Sequence, residues 1–280
     1  MVGSRTVRGR WPLKARASVA WRDVALAGLL GPAMAAPALA HMPYIAPAVF
    51  DVGQRDKVAI EASFTEDAFR PEIVMNDAPF EVTGPDGATR RLPAPAAFAD
   101  RAVAEATLPA DGIYRLSSGQ RFGRMNQMYR DGTDWKFVAE GVAPPAGAEL
   151  RKVQSATLAD AYVLRGKPGT TGALGARNAA LEIHPLADPT AIGAGDAFAL
   201  EVLYRGKPLA GANVTLFREA GLYDGRKTVG EVKSGADGKL SVSVPDAGRY
   251  LLLVRHRDAA PAGADAPHYS YTMTLAFEAT

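Results

Sequence analysis

Four histidines, His41, His184, His256 and His268, carry most of the chemistry this sequence can offer. The chain has no Cys, which excludes disulfides, thiolate metal sites and a thiol nucleophile. Imidazole is a common ligand for late first-row divalent metals. His41 directly follows Ala38-Leu39-Ala40, a small-x-small pattern that suits a cleavage site. Cut after Ala40, the chain would begin with His41, and one residue would supply both an α-amine and a ring nitrogen to a metal. This is the chelate of the histidine-brace copper proteins. An amine with a pKa of about 8 is readily deprotonated on metal binding.

His256 and His268 flank the loop 257–267, which is rich in Asp, Ala, Gly and Pro. Paired as a simple hairpin, the flanking strands would hold both imidazoles at its mouth, where cross-strand Cβ atoms lie about 4.5–5.5 Å apart. Asp258 and Asp265 would add oxygen ligands or orient a ring. The expected cofactor is thus one divalent transition metal, nickel or cobalt with copper allowed, held by His41, His256 and His268. His184, just before Pro185, reads as a strand-end packing residue near a domain junction. Met125 and Met128 read either as soft ligands for Cu(I) or as core filler. Met42 beside His41 leans towards copper.

Enzyme chemistry finds little support. No Ser sits in a G-x-S-x-G elbow, and neither H-E-x-x-H nor a phosphate-binding G-x-x-x-x-G-K-S/T occurs. Acidic residues are scattered, with Glu66-Asp67 the only tight pair at a strand end. The expectation is a non-catalytic protein.

The elements that would position these residues begin with a leader. Arg5, Arg8, Arg10, Lys14, Arg16 and Arg22 precede the apolar run Val24–Ala36, and the cleavage pattern follows. That order is the one expected of a secretory signal peptide over residues 1–40. The run contains Gly31 and Pro32 and is shorter than the ~20 apolar residues of a spanning helix. The whole chain of 280 residues carries 32 Lys+Arg and 30 Asp+Glu. Without the leader the balance becomes 26 basic to 29 acidic, which argues against nucleic acid as a partner. The product is expected to be periplasmic or secreted, and not membrane-spanning.

Gly 28 and Pro 20, with apolar residues at 48%, suit many turns and short strands. Period-two alternation or short apolar runs mark strands at 58–64, 80–83, 113–116, 156–164, 181–184, 197–204, 212–217, 229–233, 240–244, 251–257 and 269–277. Turn signals separate them, among them Gly84-Pro85-Asp86-Gly87 and Gly235-Ala236-Asp237-Gly238. Without a helical period, this spacing predicts an all-β protein of two β-sandwich-like domains. A Gly/Ala-rich linker over 166–180 would join an N-terminal domain at 41–180 to a C-terminal sandwich at 181–280.

Leu181-Glu182-Ile183-His184-Pro185, the run Gly206-Lys207-Pro208-Leu209-Ala210-Gly211-Ala212-Asn213-Val214, Ala236-Asp237-Gly238 and Asp246-Ala247-Gly248-Arg249-Tyr250 resemble the DUF4198 family. The C-terminal half also resembles carboxypeptidase-regulatory-like and transthyretin-like sandwiches. A His immediately after the leader fits the same family, whose members are exported bacterial proteins often labelled NikM-like components of nickel or cobalt uptake. The resemblance implies a metal-binding accessory of uptake or buffering, with a membrane transporter or outer-membrane receptor as partner. The sandwich resemblance alone implies a second class: an adhesion or accessory module that contacts a protein or polysaccharide without metal.

Overall fold

The computed structural model describes residues 41–139 and 141–280. The leader expected at 1–40 lies outside them. Among the described residues the chain is nearly all strand, apart from a 3₁₀ turn at Gly172–Leu174 and one helical turn at Gly221–Asp224. No helix among them is long and apolar enough to cross a membrane.

The strands form three sheets among the described residues, with five, ten and four members. The ten-stranded sheet is organised by Leu150–Arg165. This strand pairs parallel with His268–Ala279 on one side. On the other side its N-terminal part pairs with Arg121–Asp131 and its C-terminal end with Gly112–Ser117. Its residues from Ala156 to Val163 are buried whichever face they take. That burial is why the sequence there, Ala156-Thr157-Leu158-Ala159-Asp160-Ala161-Tyr162-Val163, carries apolar residues on both parities rather than an alternation.

The parity of side chains along these strands divides the apolar interior in two. Ala159, Ala161, Val163, Leu251 and Leu253 pack with Tyr44, Val58, Ile60 and Ala62 of the five-stranded sheet. Leu158, Tyr162, Leu252 and Val254 pack instead with Ile183, Phe198, Leu200 and Val202 of the four-stranded sheet. The ten-stranded sheet is therefore a middle layer with a core on each face. The expected division near residue 180 runs through this shared sheet, which takes strands from both halves of the chain. Burial of each large aliphatic or aromatic side chain contributes about 1.5–3 kcal/mol, so both faces hold the halves together.

Two corners of the same design turn the chain into this layer. Pro109-Ala110-Asp111-Gly112-Ile113-Tyr114 and Pro245-Asp246-Ala247-Gly248-Arg249-Tyr250 share the spacing P-x-x-G-x-Y. Gly112 and Gly248 have φ of 134° and 137°, open to glycine and strained for other residues. Four residues back from each Tyr, its hydroxyl donates to a carbonyl: Tyr114 to Ala110 at 2.6 Å and Tyr250 to Asp246 at 2.7 Å. The same hydroxyls accept the backbone N–H of Ala110 and Asp246. Such tyrosine corners are familiar in immunoglobulin-like sandwiches.

The segment read as a linker at 166–180 is fastened to the body. Arg177 Nη2 makes a bidentate pair with the buried Asp160 at 2.8 and 2.9 Å. Glu182 accepts the backbone N–H groups of Arg177 and Asn178, and Arg115 donates to the Gly175 carbonyl at 3.0 Å.

Candidate functional site

His41 stands at the head of the strand Met42–Pro47, which pairs antiparallel with Lys57–Thr65. The register Met42↔Thr65 sets the residue before one strand beside the residue after the other, so His41 meets Glu66. The chain then loops back into Ile73–Val74, which pairs with Phe64 and Ser63. Glu72, just before that strand, donates its N–H to the Phe64 carbonyl at 3.1 Å and so is returned to the same corner.

Local bonds hold the loop between the two glutamates. Thr65 Oγ1 donates to the carbonyls of Asp67 and Arg70, the latter at 2.5 Å, and the Arg70 N–H donates back to Asp67. Phe69 takes a φ of 64° and places its ring edge-on to buried Tyr44, 5.6 Å between centroids. Beneath the corner, Thr274 Oγ1 donates to the Pro43 carbonyl at 2.7 Å and ties the first strand to the middle sheet.

The result is a cluster of one imidazole and two carboxylates. His41 Nε2 lies 3.4 Å from Glu72 Oε2 and 3.9 Å from Glu66 Oε1. One ligand atom from each residue fits within 4.8 Å of the others. The Glu66 N–H also donates to Glu72 Oε2, at 3.3 Å. The three side chains are between 29% and 57% exposed, so an ion can reach them. Among the described residues, no Lys or Arg forms an ion pair with either glutamate. The donor set of imidazole nitrogen and carboxylate oxygen suits a borderline divalent metal, nickel and cobalt included.

Among the described residues this is the single group of three such side chains with convergent ligand atoms. His256 and His268 are not part of it. Nor do they face each other: in the Gly248–Ala259/His268–Ala279 hairpin His256 pairs with Tyr271, and His268 with Ala259. Paired residues share a face and successive residues alternate, so the two imidazoles project from opposite faces of the sheet. His256 packs its ring on Tyr204, 4.5 Å between centroids, and burial lowers its pKa below the ordinary imidazole value. His268 uses both ring nitrogens. Nδ1 is 2.7 Å from the Pro267 carbonyl, which assigns the proton to that nitrogen, and Nε2 accepts from Arg151 Nη1 at 3.2 Å. A guanidinium at the free lone pair opposes a metal cation there.

The other candidates also lie outside the cluster. His184 lies between Glu201, at 3.4 Å, and the Leu174 carbonyl, at 3.1 Å. Asp258 accepts the Tyr204 hydroxyl at 2.9 Å and the Ala259 N–H at 2.7 Å, and the Tyr204 bond is the leading cause of its lowered pKa. Asp265 is exposed in the loop. Met42 and Met128 are buried, and Met125 is exposed. With its thioether in the core, Met42 leaves the copper-leaning His-Met pair without support. Of the two glutamates, only Glu66 had a local signal, in the acidic pair Glu66-Asp67. Glu72 had none, because its place depends on the return of the loop.

No curated protein matches the chain in sequence. Among solved structures it is similar to the D0-D1 domain of intimin, at 11% identity over 83% of this chain and 96% of that one, with a TM-score of 0.21. It is also similar to the adhesin InvE of Yersinia pseudotuberculosis, at 13% identity over 84% of this chain and 58% of that one, TM-score 0.20. A DUF4785 family protein of Legionella pneumophila gives 14% over 75% and 51%, TM-score 0.23. The chain spans little more than half the length of the last two. At these scores the likenesses carry no functional argument. The sequence profile of DUF4198, described as a domain of unknown function, matches residues 38–258. That match covers most of the chain, including all three residues of the cluster, and the protein belongs to the DUF4198 family.

Proposed function

We propose that this protein is an exported, non-catalytic carrier of a divalent transition metal, nickel or cobalt first, with the ion held by His41, Glu66 and Glu72. The convergence of these three side chains, with no Lys or Arg ion-paired to either glutamate among the described residues, carries the reading. Cleavage after Ala40 would add the α-amine of His41, already joined to its imidazole, as a fourth donor. Joined donors lower the entropy lost in assembling a site. Protons compete for the same nitrogens and oxygens, so affinity falls on acidification. A mixed nitrogen and oxygen site open to solvent suits loading and release better than permanent storage. Such a carrier would buffer the ion or pass it to a membrane transporter or outer-membrane receptor.

The test is calorimetric titration of the exported protein with Ni(II) and Co(II), beside His41→Ala. One ion per chain, lost in the variant, is the expected result. No binding by the wild type, or equal binding by both, removes the proposal and leaves the adhesion or accessory module as the reading to pursue. Copper binding alone would not identify the native ion, because Cu(II) heads the Irving–Williams order at most sites of this kind.

A further inference from the structure

A pocket lies at the turn end of the Gly248–Ala259/His268–Ala279 hairpin. The strand Asp134–Phe137 folds back on Arg121–Asp131, which pairs in turn with Leu150–Arg165 of the middle sheet. Register brings the walls together: Met128 opposite Arg151, Phe137 opposite Met128, Val153 beside His268, and His268 opposite Ala259. The cavity is about 270 Å³, lined chiefly by Met128, Trp135, Arg151, Val153, Arg257 and Ala259. That is near the low end for ligand pockets, about 300 Å³, and suits a single-ring molecule.

The walls are apolar, with cationic groups set into them. Met128 and Val153 are buried, and Trp135 is half-buried. The Arg151 guanidinium lies 4.2 Å from the centre of the Trp135 ring. Arg257 Nη1 donates to the Trp135 carbonyl at 3.3 Å, and its guanidinium lies 5.4 Å from the Phe137 ring. Two acidic groups stand close by, Glu149 and Asp258. Glu149 engages Arg151 and Arg130, each at 3.3 Å, from the rim. Asp258 lines the pocket, but its oxygens take the Tyr204 hydroxyl and the Ala259 N–H, and Arg205, 3.9 Å away, balances its charge. Among the described residues Arg257 forms no ion pair. Desolvation lowers its pKa, yet a guanidinium stays charged in proteins. An anion in the pocket would give this guanidinium a charged partner.

We propose that this pocket binds a small organic carboxylate with a flat apolar body. The body lies against Met128, Val153 and Trp135, and the carboxylate meets Arg257 with Arg151 beside it. Planar guanidinium recognises planar carboxylate through paired N–H···O bonds. Phosphate or sulfate would satisfy the charge but leave the apolar walls unfilled. The site is separate from the His41 cluster and stands whether or not that cluster binds metal.

Titration calorimetry of the whole protein tests this with three probes: sodium benzoate, its neutral isostere benzamide, and inorganic phosphate. Benzoate is expected to bind one per chain, at least about tenfold tighter than either of the others, a difference of about 1.4 kcal/mol. Arg257→Gln should weaken benzoate at least tenfold and leave the unfolding midpoint near that of the wild type, since Arg257 is exposed on the hairpin. Absence of benzoate binding, equal binding of benzamide, tighter binding of phosphate, or no effect of Arg257→Gln would each overturn the proposal. The three-probe comparison on wild-type protein stands without any variant.

Discussion

Glu72 Oε2 sits 3.4 Å from His41 Nε2 and at the same time accepts the backbone N–H of Glu66 at 3.3 Å. One carboxylate oxygen thus joins the start of the first strand to the far side of a loop that returns thirty-one positions later in the sequence. Its side chain is 29% exposed against 57% for Glu66. The less exposed glutamate, also the nearer to His41, should therefore matter more to any ion held here. Glu72→Gln is expected to lower Ni(II) affinity more than tenfold, and Glu66→Gln by a smaller factor, in parallel calorimetric titrations. The reverse order, or equal losses, would contradict this placement.

The α-amine prediction is separate. Insertion of one Ala between the cleavage point and His41 keeps the imidazole and both glutamates but moves the amine out of chelating reach. If the amine is a ligand, the insertion weakens Ni(II) binding clearly. Unchanged affinity would reduce the site to its three side chains. Mass spectrometry of the exported protein must first place the mature start at His41; a start elsewhere eliminates the amine.

His256 makes a pH prediction. Burial against Tyr204 disfavours its charged form, so its pKa in the folded protein lies below the unfolded value of about 6.5. The unfolded chain binds the proton more readily. The stability associated with neutral His256 is therefore intact above about pH 6.5 and declines as pH falls towards the folded value. Phe at this position has no proton to gain. Unfolding midpoints measured from pH 8 to pH 5 should fall less for His256→Phe than for the wild type. Parallel curves would show that another group governs the acid limb.

Asp160 and Arg177 supply a stability prediction. The Asp160 side chain is 4% exposed, and Arg177 satisfies both its oxygens. Arg177→Met would leave that carboxylate buried without its cation, at a cost of about 3–5 kcal/mol. In a chain of this size each kcal/mol corresponds to about 2–4 °C in Tm, so the loss should be plain in a thermal melt. A change within the error of the melt would mean that residues 166–180 are held by other bonds.

A smaller effect is expected at the two tyrosine corners. Tyr250→Phe removes a hydroxyl that serves Asp246 as both donor and acceptor. The cost should be about 1–3 kcal/mol, that of leaving partly buried backbone groups unpaired. Tyr114→Phe should cost a similar amount, and denaturant unfolding of both variants would check the equivalence.

Local pattern was enough for the all-β class and for most strands of the second half. Ala197–Tyr204 coincides with its alternating run, and the strands at 181–185, 239–243 and 268–279 lie within a residue or two of theirs. Alternation and turn chemistry are properties of neighbouring residues, so they can be read along the chain. The layering could not be read in the same way. A strand such as Leu150–Arg165, buried on both faces from Ala156 to Val163, shows no alternation there, and its parallel partner lies more than a hundred residues away. His41 was legible through its place after a cleavage pattern, and Glu66 through its acidic neighbour. Only tertiary structure could add Glu72, since antiparallel register and the returning loop 66–72 bring it to His41. Register likewise decided against a shared site for His256 and His268. The pairing of His256 with Tyr271, and of His268 with Ala259, sets the two residues at opposite parity, and a sheet sends opposite parities to opposite faces.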